Sequence, residues 1–497
     1  MRVLYVTQEY APYFTEGGLG LTSRALPAAL QTEAGVTHDL LLPYYPWLIE
    51  QHGLSVEAVC RLPWTPGTPE AAEATVYRLL DHGGPCEVFL FQLDSRYDRV
   101  GIYRDENYVE FTDAVERAAL FGRAVADWVR LSGRSYDLVH ANDWQSGAAL
   151  AHLRARRTET LPALVMNVHS AAYQGKFTHR QAPELGLPAA ALHRLREQGV
   201  DRPSLLLLGL SSADAAVTCS PTYDRELSAQ LSGTALGDAW QALPTAGVVS
   251  GVDPRVWDPA VPDRPSKPYD AATVNAGKRD NKALLQKALG LPLDTTVPVL
   301  GVCSRFVAEK GTDLLLEAVT PLLAEGAVQI ALVGPAAPGM RELIAAAVRE
   351  APGRLAYVPR FEQDIAWLLY AGADFTVMPS RVEPCGLNQL IALAYGTLPV
   401  VSPVGGLRDT VLDLRAEPDR GNGFLIPEHT PASVRDSVRA ALDWAASSPG
   451  RLTEVRRRAM AQDWSWSRTA REFAQLYRGW AESPTASPMP IRSKEHE

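Results

Sequence analysis

No basic tract runs through the 497 residues, whose formal net charge is -9. Proteins that neutralise nucleic-acid phosphates carry clustered Lys and Arg, so nucleic acid is not an expected partner. No apolar run approaches the roughly 20 residues of a membrane span, so no membrane association is expected. The opening Met1-Arg2-Val3-Leu4-Tyr5-Val6 runs quickly into Gln8-Glu9, too short an apolar stretch for a signal peptide. Cysteine is scarce: Cys60, Cys86, Cys219, Cys303 and Cys385 are odd in number and form no CxxC pair. A reduced, soluble, cytoplasmic protein without disulfides or structural zinc is the expectation. There is no HExxH and no Asp-x-Asp, so no dedicated metal site is expected. No Ser-His-Asp spacing suggests a hydrolase. Gly17-Gly18-Leu19-Gly20 does not match GxGxxG with a downstream acid, which disfavours a nicotinamide cofactor.

What is present describes a globular enzyme. Hydrophobic residues make up 46% and charged residues 21%. Such a length predicts two to three domains. Short β-branched and apolar runs at residues 3–6, 138–140, 164–168, 215–219, 299–303, 329–333 and 375–378 alternate with amphipathic helical stretches. That alternation predicts parallel sheets covered by helices on both faces: two doubly wound, Rossmann-like α/β domains facing a cleft. Ligands of such sheets gather at the C-terminal ends of strands. The expected domains are 1–257 and 258–463, then a helix over 464–482 that crosses back to the N-terminal domain. A Ser/Pro-rich, disordered tail is expected over 483–497.

Chemistry-bearing residues fall at strand ends. Arg305 and Lys310, in Ser304-Arg305-Phe306 and Glu309-Lys310-Gly311, straddle a strand-to-helix loop. Arginine grips phosphate oxygens in a fork and lysine adds a point charge, unless the pair is simply solvated. Glu383 opens a turn through Pro384, Cys385, Gly386 and Leu387, ahead of a helix expected over 388–396. It is either a sugar-site carboxylate or an ordinary acid at a helix N-terminus. Cys385 reads as a small packed residue, with no histidine near it in sequence. Gly17 and Gly18 open either a tight turn or an anion site on the free N–H groups of a helix from about Leu21. Asp143 and His169 follow strands and can reach a sugar, although a lone histidine there is commonly structural.

Together these segments resemble the bacterial glycogen synthase and plant starch synthase family, retaining glycosyltransferases of the GT-B fold. The resemblance runs from Met1 to about Trp480 through Glu16-Gly17-Gly18-Leu19, His140-Ala141-Asn142-Asp143-Trp144, Val168-His169-Ser170, Ser220-Pro221-Thr222-Tyr223, Ser304-Arg305, Lys310-Gly311 and Pro379 to Leu387. It implies that Arg305 and Lys310 hold a donor diphosphate and that Glu383 assists at the sugar and the departing group. It implies that backbone amides of Cys385, Gly386 and Leu387 bind sugar hydroxyls, with Asn388, Gly17 and Gly18 also on the donor. Asp143 and His169 would line the sugar pocket, and Phe361 would be the platform for the nucleobase. No cofactor is implied. The partners are a nucleotide-sugar donor and a carbohydrate or amino-sugar acceptor.

Departures concentrate in the N-terminal half. Thr15 replaces the family's loop lysine, Leu21 an acid, and Ser170 and Ser250 asparagines; Asn388 replaces a threonine. Three readings follow. The first is glucosyl transfer, with a rebuilt sugar or acceptor pocket. The second is a pseudo-glycosyltransferase of secondary metabolism, joining a nucleotide-activated cyclitol of valienol type to an amino sugar. The third is a catalytically silent sugar-binding or regulatory protein.

Overall fold

The computed structural model describes residues 1–62, 74–93, 95–106, 109–156 and 161–482. The tail expected over 483–497 lies outside them. The chain forms two units: Met1–Gly251 with the C-terminal segment from Trp466, and Val252–Ser465.

Among the described residues the first unit carries a nine-stranded sheet. Its strands are β1 (Arg2–Val6), β2 (Thr37–Pro43), β3 (Val56–Leu62), β4 (Ala74–Leu79), β5 (Glu87–Gln92), β6 (Leu138–Asn142), β7 (Ala163–Val168), β8 (Ala215–Thr218) and β9 (Thr245–Gly247). Their order is β3-β4-β5-β2-β1-β6-β7-β8-β9. All pairings are parallel except β3 with β4 and β4 with β5. Val3, Leu4, Tyr5 and Val6 are fully buried, as a central parallel strand covered on both faces requires.

The second unit has a six-stranded, wholly parallel sheet in the order β12-β11-β10-β13-β14-β15. Its strands are β10 (Val299–Cys303), β11 (Gln329–Val333), β12 (Leu355–Val358), β13 (Phe375–Met378), β14 (Leu398–Val401) and β15 (Phe424–Leu425). Strand order reverses between β1 and β6 in one sheet and between β10 and β13 in the other. Those are the crevices where open α/β sheets receive ligands.

The expected division after Trp257 falls six residues late. Trp257 packs edge-on against Tyr370, and Trp367 Nε1 donates to Val256 O at 2.9 Å, so both belong to the second unit. At the other end Trp464 packs on the second unit's core. The final helix, Trp466–Glu482, instead belongs to the first unit. Thr469 Oγ1 donates to Val249 O (2.9 Å), and Tyr477 Oη meets His140 Nδ1 (2.9 Å). The Pro-rich connector read over 260–278 is helical from Val274 onward, in Val274–Ala288.

That helix carries a buried lysine. Lys278 Nζ donates to Thr397 Oγ1 (2.6 Å) and to the carbonyls of Tyr370, Ala371 (3.2 Å each) and Tyr395 (3.4 Å). Burial pushes its pKa well below the usual lysine range. It ties Val274–Ala288 to the ends of helices Gln363–Gly372 and Asn388–Ala394, the latter leading out of the Glu383 loop. Lys278→Met leaves these acceptors without their donor in the interior. A loss of about 3 kcal/mol in urea unfolding is expected.

Candidate active site

In the second unit the loops after β10 and β13 meet. Lys310 Nζ lies 2.7 Å from both Glu383 carboxylate oxygens, and Ser380 Oγ donates to Glu383 Oε2 at 3.0 Å. Glu383 is only 7% exposed, so this cation and hydroxyl are what make its burial tolerable. Gly311 lets the loops approach so closely: its φ is +64°, and a Cβ there would sit 2.1 Å from Pro379 O. Arg381 braces the same junction with a two-point contact to Asp313 (2.8 and 2.7 Å), which holds that carboxyl below its usual range. His429 Nε2 lies 3.0 Å from Ser380 O.

Arg305 is exposed, and its guanidinium has no partner among the described residues. Cys303, Ser304, Lys310, Ser380, Glu383 and Asn388 line one small cavity at the strand ends. Asn388 donates one amide hydrogen to Cys303 O, clipping helix Asn388–Ala394 to the end of β10. That bond gives it an internal task beside the expected donor contact. The helix also ends two residues before the expected Gly396. Cys385, Gly386 and Leu387 form the turn leading into it, with Gly386 at φ +70°. Phe361 is 54% exposed in the loop between β12 and helix Gln363–Gly372.

In the first unit Asp143 and His169 come together across the ends of β6 and β7. The Asp143 carboxylate accepts the His169 N–H at 2.8 Å and also the Ser170 N–H. Asp143 is a non-glycine residue at φ +53°, a strained conformation held by those bonds. Burial raises its carboxyl pKa and lowers that of the His169 imidazole.

The imidazole itself is occupied. Asn142 Nδ2 donates to Val6 O (2.9 Å), which leaves Asn142 Oδ1 to accept from His169 Nε2–H at 3.0 Å. His169 Nδ1 is then the basic nitrogen, 3.4 Å from Cys219 Sγ. Both ring nitrogens thus have partners within the unit, a departure from a histidine ring left free for a sugar. His140 beside it is fully buried, its pKa pushed down to about 3 by burial, and stacks on Tyr5.

The glycine loop departs furthest from expectation. Its helix starts at Gly18, not near Leu21, and runs Gly18–Ala34. Its entry is already filled by a carboxylate: Glu9 Oε2 accepts the N–H groups of Glu16 (2.9 Å), Gly17 (3.0 Å) and Gly20 (3.3 Å). Thr15 Oγ1 lies 3.3 Å from the same oxygen. The Gly17 N–H is therefore not free for a donor, as the sequence had suggested. Leu21 is 46% exposed, and Ser250 is half-buried in the segment after β9. Glu9, Asn142, Ser380 and Cys219 escaped sequence reading. Asn142 and Ser380 stand inside the motifs quoted above; Glu9, an acid right after a core strand, was the one visible signal.

Two Rossmann-like α/β units fit the GT-B glycosyltransferase fold, and a half-buried Lys310 meets the nearly buried Glu383 at the strand ends of one of them. Residues 2–242 match the starch synthase catalytic domain, and residues 297–443 match glycosyl transferases group 1. The glycogen synthase of Rhodospirillum rubrum is 34% identical, covering 96% of this chain and 98% of its own. That of Anaeromyxobacter dehalogenans is 36% identical over 96% and 99%. Among solved structures, the catalytic domain of starch synthase IV from Arabidopsis thaliana, bound to ADP and acarbose, superposes with a TM-score of 0.85. It is 24% identical and covers 97% of this chain and 99% of its own. The chain belongs to the glycogen synthase family, enzymes of carbohydrate biosynthesis. Among the described residues no helix is long and apolar enough to cross a membrane.

Proposed function

We propose that the protein transfers a glucosyl or glucose-like group, with retention, from a nucleoside-diphosphate sugar to a carbohydrate acceptor, through a rebuilt sugar or acceptor pocket. The observation that carries this reading is the Lys310–Glu383–Ser380 cluster at the switch point of an all-parallel sheet, with the exposed Arg305 in the same loop after β10. Arg305 and Lys310 neutralise the charge that develops on the departing diphosphate, without a resident metal or cofactor. Glu383 keeps Lys310 in place and faces the transferred sugar. Backbone amides of the Cys385–Leu387 turn and the Asn388 side chain hold sugar hydroxyls, and Phe361 supports the nucleobase. Asp143 and the strained turn it closes shape the sugar pocket in the first unit.

A second reading, transfer of an activated cyclitol to an amino sugar, is favoured by one observation. Where the resemblance puts a lysine, Thr15 lies against the buried Glu9, so the loop carries a hydroxyl in place of an ammonium. Purified protein offered ADP-glucose, UDP-glucose or a GDP-linked cyclitol, each with glycogen and with amino sugars, separates the readings by mass spectrometry. Glycogen extension is the expected result. A product formed only from the cyclitol donor supports the second reading, and tight sugar binding without transfer supports a silent protein.

Thr15→Lys tests the loop directly. A regained charge-assisted phosphate contact is worth about 1.5–3 kcal/mol, so glucan extension from ADP-glucose is expected to rise by about tenfold or more. An unchanged rate would show that the missing lysine does not limit the reaction.

A further inference from the structure

The glycine loop of the first unit has the form of an anion site, yet the chain supplies its own anion. Glu9 is 3% exposed; burial raises its carboxyl pKa, while the bonds it accepts from two directions favour the ionised form. Oε2 takes the Glu16, Gly17 and Gly20 N–H groups, while Oε1 takes Tyr103 Oη–H at 2.8 Å. The clamp is reciprocal. Glu16 Oε1 accepts the N–H groups of Ile102 (2.9 Å) and Tyr103 (3.3 Å), and Arg104 lies 3.7 Å from Glu16 Oε2. Gly20 is required by the packing: a Cβ there would meet Thr15 Oγ1 at 2.6 Å and Glu9 Oε2 at 3.3 Å. The Gly18 and Leu19 N–H groups have no partner among the described residues.

We propose that Glu9 is a positioning residue: an internal anion that moulds the 15–20 loop and reserves the Gly18 and Leu19 N–H groups for the diphosphate sugar. This rests on the nucleotide-sugar reading above. Three N–H groups that would otherwise cradle phosphate are spent on holding shape. The loop then recognises the donor through few, fixed donors and no cation of its own. Pre-organisation of this kind is felt in donor binding and turnover, through geometry alone.

The test uses the intact chain and two readouts, hydrogen exchange at individual amides and steady-state kinetics. Glu9→Gln replaces one acceptor oxygen with an amide that cannot accept. The expected result is faster exchange at Glu16, Gly17 and Gly20, a donor KM raised about tenfold, and a lowered melting temperature. Should Glu9→Gln fail to fold, Tyr103→Phe removes only the bond on Oε1, and a two- to fivefold rise in donor KM is expected. Unchanged exchange at the three amides in Glu9→Gln overturns the proposal. So does accelerated exchange with an unchanged donor KM. If wild-type protein turns over no donor, the transferase reading fails, and the exchange data still decide whether Glu9 holds the loop.

Discussion

Lys310→Met is expected to lower turnover by about 10²–10³-fold, the usual cost of removing one preorganised charge from a leaving group. Stability should fall as well. Among the described residues Lys310 is the one cation that pairs with the nearly buried Glu383 carboxylate, both oxygens lying 2.7 Å from Nζ. Without it the carboxylate keeps only Ser380, and a cost of about 1–3 kcal/mol is expected in urea unfolding. The double variant Lys310→Met/Glu383→Gln isolates the stability effect. Neutralising both partners should restore most of the stability. A double variant as unstable as Lys310→Met would show that the unpaired carboxylate is not the cause.

Arg305→Ala is the complementary case. Arg305 is exposed and has no partner among the described residues, so unfolding should shift by no more than about 0.5 kcal/mol. Activity is expected to fall by about 10- to 100-fold, corresponding to one lost charge-assisted contact, with the loss concentrated in donor KM. Arg305→Lys should recover only part of it, because an ammonium cannot reproduce the guanidinium fork. Kinetics in nucleoside-diphosphate sugar at fixed acceptor, beside a melt of each variant, checks both statements. An arginine serving only solubility would leave donor KM untouched.

Much of the fold was legible because it depends on local pattern. Strands β10, β11 and β13 stand at the predicted residues, since buried parallel strands are continuous apolar runs with turn signals at their ends. Their sheet positions then put Arg305, Lys310 and Glu383 at one switch point. The antiparallel hairpin β3–β4 went unread: Val56–Leu62 is largely exposed and polar-interrupted, and it holds its place by pairing. The site was legible in residue identity but not in partnership. Nothing in the spacing of Glu9 and Gly17 says that the carboxylate turns back onto the loop it precedes. From its place after β7 the His169 ring could be read as facing a sugar or as a satisfied structural group. Its two nitrogens are taken by Asn142 and Cys219, which stand 27 and 50 residues away in the chain. Side-chain direction is set by tertiary contacts that no local period encodes.

The measurement closest to the proposed chemistry is acceptor-dependent release of nucleoside diphosphate from ADP-glucose and UDP-glucose by the intact chain. Release that requires a carbohydrate acceptor, and that all but disappears in Lys310→Met, is the predicted result. Release that persists undiminished in Lys310→Met, or donor bound tightly with no release under any acceptor, would contradict it.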